Sequence, residues 1–271
     1  RVGTHDNFFD LGGHSLLAIQ LVTQLESQFS VKIPLRTLFE RATVSGLANW
    51  LDEQDGSGVS DEAFAVQSDP NSRYEPFPLT DIQQAYWLGR NGAFELGNIA
   101  THGYRAIDTK GIPHEAIQRA YNELIRRHDM LRAIVQPEGQ QRVLEEVPEY
   151  KIEVREDEKC EEIRERLSHQ VFDTATWPLF HIEAIAKPDG GTRYFVSFDV
   201  ILGDAWSLQI LGREMKQLLL GMPLPPLALT FRDYVLAERA HNERPEAESS
   251  WWHWQEKVPH LPAAPELPLI K

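Results

Sequence analysis

Between Ser15 and Phe29 large apolar side chains recur every fourth position, at Leu17, Leu21, Leu25 and Phe29. That spacing lays them along one side of an α-helix. SVKIP (30–34) ends the periodicity at a proline. LRTLFER (35–41) predicts a short second helix, and TVSGLANWL (43–51) a third with Thr43 as its N-cap. Three short helices in about fifty residues make a marginal core. Such a unit is expected to lean on a partner, or to have lost an earlier helix.

From Tyr74 onward the pattern changes from one stripe to alternating types. Thr80 stands where it can cap a helix over DIQQAYWLG (81–89), and THGYRAID (101–108) alternates as a strand. Ile117, Tyr121, Leu124 and Ile125 predict a helix over 112–128. LRAIVQ and QRVLEE flank PEG (137–139), and PLFHIEAIA and TRYFVSFDV flank KPDGG (187–191), so two hairpins are predicted. Further helices are predicted at CEEIRERLSHQVF (160–172), AWSLQILGREMKQLLLG (205–221, ending at Gly221), FRDYVLAERA (231–240) and SSWWHWQEKV (249–258). Trp251, Trp252 and Trp254 on the last read as core, with a partner interface as the alternative. Helices mixed with hairpins give an α+β layered fold. No internal repeat is visible.

Composition divides the chain. No Lys or Arg occurs from Ala42 to Ser72, and 52–73 is acidic, weakly hydrophobic and dotted with Gly and Ser. It reads as a solvated linker. The organisation is then a helical unit (1–51), a linker (52–73) and a larger unit (74–271). The 271 residues, 42 % hydrophobic, are enough for a substantial core. A net charge of −14 argues against direct binding to nucleic acid or an anionic membrane. The single cysteine, Cys160, rules out an intrachain disulfide and a cysteine zinc cluster, and suits a reducing, cytoplasmic setting. No membrane-length apolar run or secretory signal is seen. The chain begins at Arg1 rather than Met, and is expected to be a piece of a longer polypeptide.

In DNFFDLGGHSLLAIQL (6–21), Gly12 and Gly13 allow a tight turn and Ser15 opens the first helix. A serine there sits at the positive end of the helix dipole, which favours a phosphate ester; capping the helix is the competing role. The segment resembles the attachment motif of peptidyl carrier domains in nonribosomal peptide synthetases. The resemblance implies covalent 4′-phosphopantetheine on Ser15, whose thiol holds the growing chain as a thioester. GGHS resembles carriers that follow an adenylation domain. His14 reads as a solvent-exposed neighbour or a partner contact. The family has a full helix before this motif and only 14 residues precede Ser15 here, which implies an N-terminally truncated carrier.

In the larger unit, YEPFPLTDIQQAYWLGR (74–90), RHDML (127–131), DVILGDAWS (199–207) and LPAAPELPL (261–269) stand in order. They resemble successive motifs of heterocyclisation domains, relatives of condensation domains. Where ordinary condensation domains carry H-H-x-x-x-D-G, this chain has Asp199, Val200 and Asp204. Valine cannot exchange a proton, so histidine acid–base chemistry is excluded at that position. The resemblance implies condensation of a Cys, Ser or Thr acceptor with an upstream thioester, then ring closure with loss of water to a thiazoline or oxazoline. It also implies a chloramphenicol-acetyltransferase-like α/β sandwich lobe. The second lobe, which holds the family's cyclodehydration threonine and aspartate, lies beyond this chain, so the chain alone is expected to be inactive. Implied partners are the adenylation domain and downstream carrier of the same synthetase, a phosphopantetheinyl transferase, and aminoacyl or peptidyl thioesters. A non-catalytic carrier and docking fragment, or an amide-forming condensation domain, are the alternatives.

The candidate site residues of the larger unit are Asp199, Asp204 and Ser207. As catalysts the aspartates would need a pKa raised by burial. As Mg²⁺ ligands they lack a third carboxylate or phosphate motif nearby, and no metal is assigned. As structural ties they need a cation, because an unpaired buried carboxylate is costly; Arg132 and Arg127 are the candidates. That cost favours a structural role for Asp204, which can also cap the following helix, and leaves Asp199 open. Ser207 falls one turn on, on the face of Asp204, where local backbone bonding is its competing role.

Overall fold

The computed structural model describes residues 2–29, 31–53, 66–90, 100–156 and 159–263. The chain forms two compact units, Arg1–Ala63 and Phe64–Lys271. Positions 54–65 of the acidic segment, and 264–269 of the LPAAPELPL motif, lie outside the described residues.

The first unit contains α1 (Ser15–Phe29), α2 (Leu35–Glu40) and α3 (Val44–Asp52). Its core is Ala18, Val22, Ile33, Leu38 and Leu47, with Leu21 and Leu25 packed beside it. The buried line of α1 is therefore one residue off the predicted stripe, and Leu17 and Phe29 are exposed. A spacing of four drifts about 40° per step against 3.6 residues per turn. The stripe's ends rotate out of the core while its middle stays near it. Thr43 caps α3 as predicted, accepting from the Gly46 N–H at 3.0 Å.

The second unit is built on two sheets. The larger has the order β2 (His102–Thr109), β7 (Thr192–Asp199), β6 (Phe180–Ala186), β5 (Glu153–Arg155). All its pairs are antiparallel except β5 with β6. The smaller has the order β1 (Phe77–Pro78), β4 (Gln140–Val143), β3 (Ala133–Val135). Both predicted hairpins form, β3–β4 turning at Gly139 (φ 78°) and β6–β7 at Gly190 (φ 79°), where a left-handed residue is needed.

Period-two alternation sends β7 into two layers. Tyr194, Val196 and Phe198 join the main core under α5 (His114–Arg127), with Leu208, Leu211 and Met215 of α7 (Ala205–Leu219) packed against it. Phe195 points the other way, onto Ile163 and Leu167 of α6 (Cys160–Ser168). Helices thus cover both faces of the sheet, the α/β sandwich lobe that the resemblance implies. α4 (Asp81–Gly89), α8 (Phe231–Asn242) and α9 (Pro245–Lys257) complete the unit. Thr80 and Gln83 form a full capping box on α4.

Three expectations need revision or comment. β5 was not predicted; it is three residues long and pairs in parallel with a strand far along the chain. Trp251, Trp252 and Trp254 are 53–60 % exposed, so they are not core. Residues 69–73, acidic-segment by composition, lie within the second unit and are bonded to it: the Arg73 guanidinium donates to both oxygens of Asp129 at 2.6 and 2.8 Å, and the Asp69 N–H to Asp233 at 3.1 Å. No helix among the described residues is long and apolar enough to cross a membrane.

Candidate functional site

Each unit carries one candidate site. In the first, a turn precedes α1, with the Gly12 and Gly13 N–H groups donating to the Phe9 and Phe8 carbonyls at 3.0 and 2.9 Å. Gly12 takes φ 94°. A Cβ on Gly13 would sit 2.4 Å from the Phe8 ring, so that position needs glycine for close approach. The first helical bond runs from Ala18 N–H to the His14 carbonyl, 2.8 Å. His14 is therefore the N-cap, and Ser15 is the first helical residue. That placement removes the capping role proposed for Ser15. Ser15 and His14 are both exposed. An accessible hydroxyl at the start of a fifteen-residue helix, above a turn held open by glycines, fits a phosphodiester-linked group.

In the second unit, Asp199 ends β7 and Asp204 begins α7, and their surroundings are opposite. Asp199 is fully buried. Its carboxylate accepts two bonds from the Arg90 guanidinium, at 2.8 and 3.1 Å, and one from the Ile201 N–H at 3.0 Å. Arg90 is the C-cap of α4 and is itself nearly buried. The bidentate geometry makes this a strong, directional pair.

Asp204 is exposed and, among the described residues, has no arginine partner. It is the N-cap of α7 in a capping box with Ser207: Asp204 Oδ1 accepts from the Ser207 N–H at 2.8 Å and from its hydroxyl at 2.7 Å. Burial raises the Asp204 pKa, but the bonds from Ser207 outweigh it and the net shift is downward. A carboxyl held ionised in this way is a poor general base. The expected arginine tie at Asp204 is thus corrected: the tie is at Asp199, and Arg132 and Arg127 instead bond Asp129 and Glu214. Gly203, between Asp199 and Asp204, is also required by packing, since a Cβ there would lie 2.8 Å from that of Ser207.

Val200, Asp204 and Ser207 line one cavity of about 740 Å³. Its wall is largely apolar, from residues such as Met130, Phe198, Leu211 and Phe231. Three polar residues of this region escaped sequence reasoning: Arg90, His128 and Glu214. Glu214 had a usable signal, being a carboxylate among Leu211, Met215 and Leu218 on the apolar side of α7.

Among the described residues, Glu153, His181 and Glu183 are close enough to hold a cation. Glu183, however, already accepts from Arg155, Arg166 and His181. With two guanidiniums on its oxygens the donor set suits an ion-pair network rather than a metal.

Residues 75–270 match the condensation domain family, and residues 1–51 match the phosphopantetheine attachment site family. The chain belongs to the condensation domain family, and with its attachment unit it is a fragment of a nonribosomal peptide synthetase carrying covalent 4′-phosphopantetheine. Among curated proteins it is similar to bacitracin synthase 1 of Bacillus licheniformis, 35 % identical across 99 % of the chain and 5 % of that protein. It is also similar to phenyloxazoline synthase MbtB of Mycobacterium sp. (strain MCS), 34 % identical across 78 % of the chain and 18 % of that protein. Among solved structures, the EpoB cyclization-docking bidomain of a synthetase from Sorangium cellulosum superposes with a TM-score of 0.71, at 29 % identity, over 93 % of this chain and 55 % of that one. The chain thus spans a small part of these curated relatives.

Proposed function

We propose that this chain carries an acyl intermediate on Ser15 and contributes one lobe of an enzyme that condenses and cyclodehydrates a Cys, Ser or Thr acceptor. The observation that carries the reading is the segment from Asp199 to Ser207, which contains no histidine and sets Val200, Asp204 and Ser207 on the cavity wall. Support also comes from the likeness to a phenyloxazoline synthase and to a cyclization domain. The phosphopantetheine thiol would present the donor as a thioester. The acceptor amine attacks the thioester carbonyl, the carbon–sulfur bond breaks, and an amide forms. The acceptor's thiol or hydroxyl then closes on the amide carbonyl, and water leaves.

In this scheme the two aspartates hold the cavity and do not exchange the protons. Asp199 ties the end of β7 to α4, and Asp204 starts α7. The partners of the reading are the adenylation domain and acceptor carrier of the same synthetase, a phosphopantetheinyl transferase that modifies Ser15, and aminoacyl or peptidyl thioesters. The test is mass spectrometry of the synthetase after phosphopantetheinylation and donor loading, with a cysteine acceptor. A product one water lighter than the linear amide supports cyclisation; linear amide alone contradicts it. Ser15→Ala should abolish phosphopantetheine attachment at this unit, and attachment that survives would rule Ser15 out.

A further inference from the structure

One titratable group in the cavity has no part in the signature segment. His128 lines the same wall as Val200, Asp204 and Ser207, and it is the only imidazole in that lining among the described residues. It follows α5 at a turn, with its N–H bonded to the Leu124 carbonyl at 2.8 Å. Its ring Nε2 lies 2.7 Å from Glu214 Oε2. Glu214 is buried, and its two oxygens also accept from Arg127 at 2.9 and 3.3 Å. Burial raises the Glu214 pKa, but the hydrogen bonds from Arg127 and His128 prevail and hold it down.

Glu214 is therefore an acceptor, and the hydrogen between it and the ring sits on Nε2. In the neutral form of the ring the lone pair is then on Nδ1. That atom is not among the buried unpaired atoms, and no described residue bonds it. This is a base oriented by a carboxylate, on a residue that lines the cavity. Ser207, Leu211 and Glu214 all line the cavity, and Glu214, the partner of His128, stands two turns of α7, about 10 Å of helix rise, beyond Ser207.

We propose that His128, oriented by Glu214, is the proton-exchanging group of the condensation step. Nδ1 takes the proton from the acceptor amine as nitrogen bonds to the thioester carbonyl carbon. The imidazolium returns that proton to the departing phosphopantetheine thiolate, so the step ends with amide, free thiol and neutral ring. The charged side chains that line the cavity with His128 are Glu214 and Arg213 of α7, Arg127 of α5, Asp129 with its partner Arg73, Asp204, and Glu238 of α8. The inference rests on the proposed condensation in this cavity, but not on the later loss of water.

The test uses the full synthetase, loaded with donor and acceptor, with single-turnover amide formation followed across pH. His128→Gln keeps a donor for Glu214 but has no titratable nitrogen. His128→Ala removes both, and added imidazole can replace the base. His128→Gln is expected to melt with the wild type, slow amide formation at least about 100-fold, and lose the limb at which rate rises with pH. Imidazole should restore part of the rate to His128→Ala. Wild-type rate in His128→Gln would overturn the proposal. So would a slowed variant with an unchanged pH profile and no imidazole rescue, which would make His128 only a brace for Glu214. Product mass, read in the same spectra, tests ring closure separately: linear amide from the wild type would remove the cyclisation reading and leave the His128 result standing.

Discussion

Two aspartates five residues apart carry opposite loads. The one that closes β7 is sealed from water and clamped by a guanidinium from another helix. The one that opens α7 faces solvent and bonds Ser207 in the first turn of its own helix. A buried pair is fragile in one direction: losing one partner strands the other charge. An exposed cap is a local convenience of about 1 kcal/mol. The same residue type in one motif is thus a tertiary fastening at one end and a secondary-structure start signal at the other.

The strongest way to break the comparison is Asp199→Ala, which leaves Arg90 buried without its partner. It should cost about 3–5 kcal/mol in urea denaturation. Arg90→Ala should cost a similar amount, and the double variant much less than the sum. Additive losses would mean the pair is not the tie described. A third carboxylate sharpens the rule. Glu183 is buried between Arg155 and Arg166. Burial raises its pKa, but the guanidinium bonds prevail and bring it from 4.5 to about 2. Its stabilisation is complete above the unfolded value and drains away as pH falls from there through about 2. The loss should be on the order of 3 kcal/mol. Glu183→Gln should remove that acid dependence from a pH titration of stability, and an unchanged acid slope would contradict the assignment.

At the exposed end, Asp204→Ala should cost only about 1 kcal/mol, and Asp204→Asn or Asp204→Ser much less. Unfolding of Asp204→Ala would restore the tertiary role that its sequence position suggested. The smallest effect belongs to Ser207→Ala, about 0.5 kcal/mol by thermal melt, since it removes only the exposed hydroxyl's two bonds to Asp204, one donated to Oδ1 and one accepted from the N–H.

These contrasts also show what the chain made legible. Thr43, Thr80 and both glycine-turned hairpins were readable because cap and turn chemistry acts within a few residues. The capping role of Asp204 was readable for the same reason. Its supposed arginine was not, because choosing a cation for a buried carboxylate needs tertiary distances. Arg90 is 109 positions from Asp199, and Arg127 and Arg132 were nearer to hand but already engaged. β5 escaped because a three-residue parallel edge strand takes its register from β6 and shows no alternation of its own. The tryptophans of α9 misled because aromatic content reports a tendency to be covered, without saying by what. His128 was visible only as part of a motif. Its orientation by Glu214, on a different helix, appears only in the fold.

In the proposed function these carboxylates hold a cavity in which a ring is closed, without performing its chemistry. The most direct measurement is the mass of the product formed on a cysteine acceptor by the phosphopantetheine-loaded synthetase carrying Asp204→Asn, a change that keeps the cap but removes the carboxylate. The expected product, from variant and wild type alike, is one water lighter than the linear amide. An Asp204→Asn protein that melts like the wild type yet stops at the amide, or forms nothing, would make Asp204 a participant in the reaction and contradict the account.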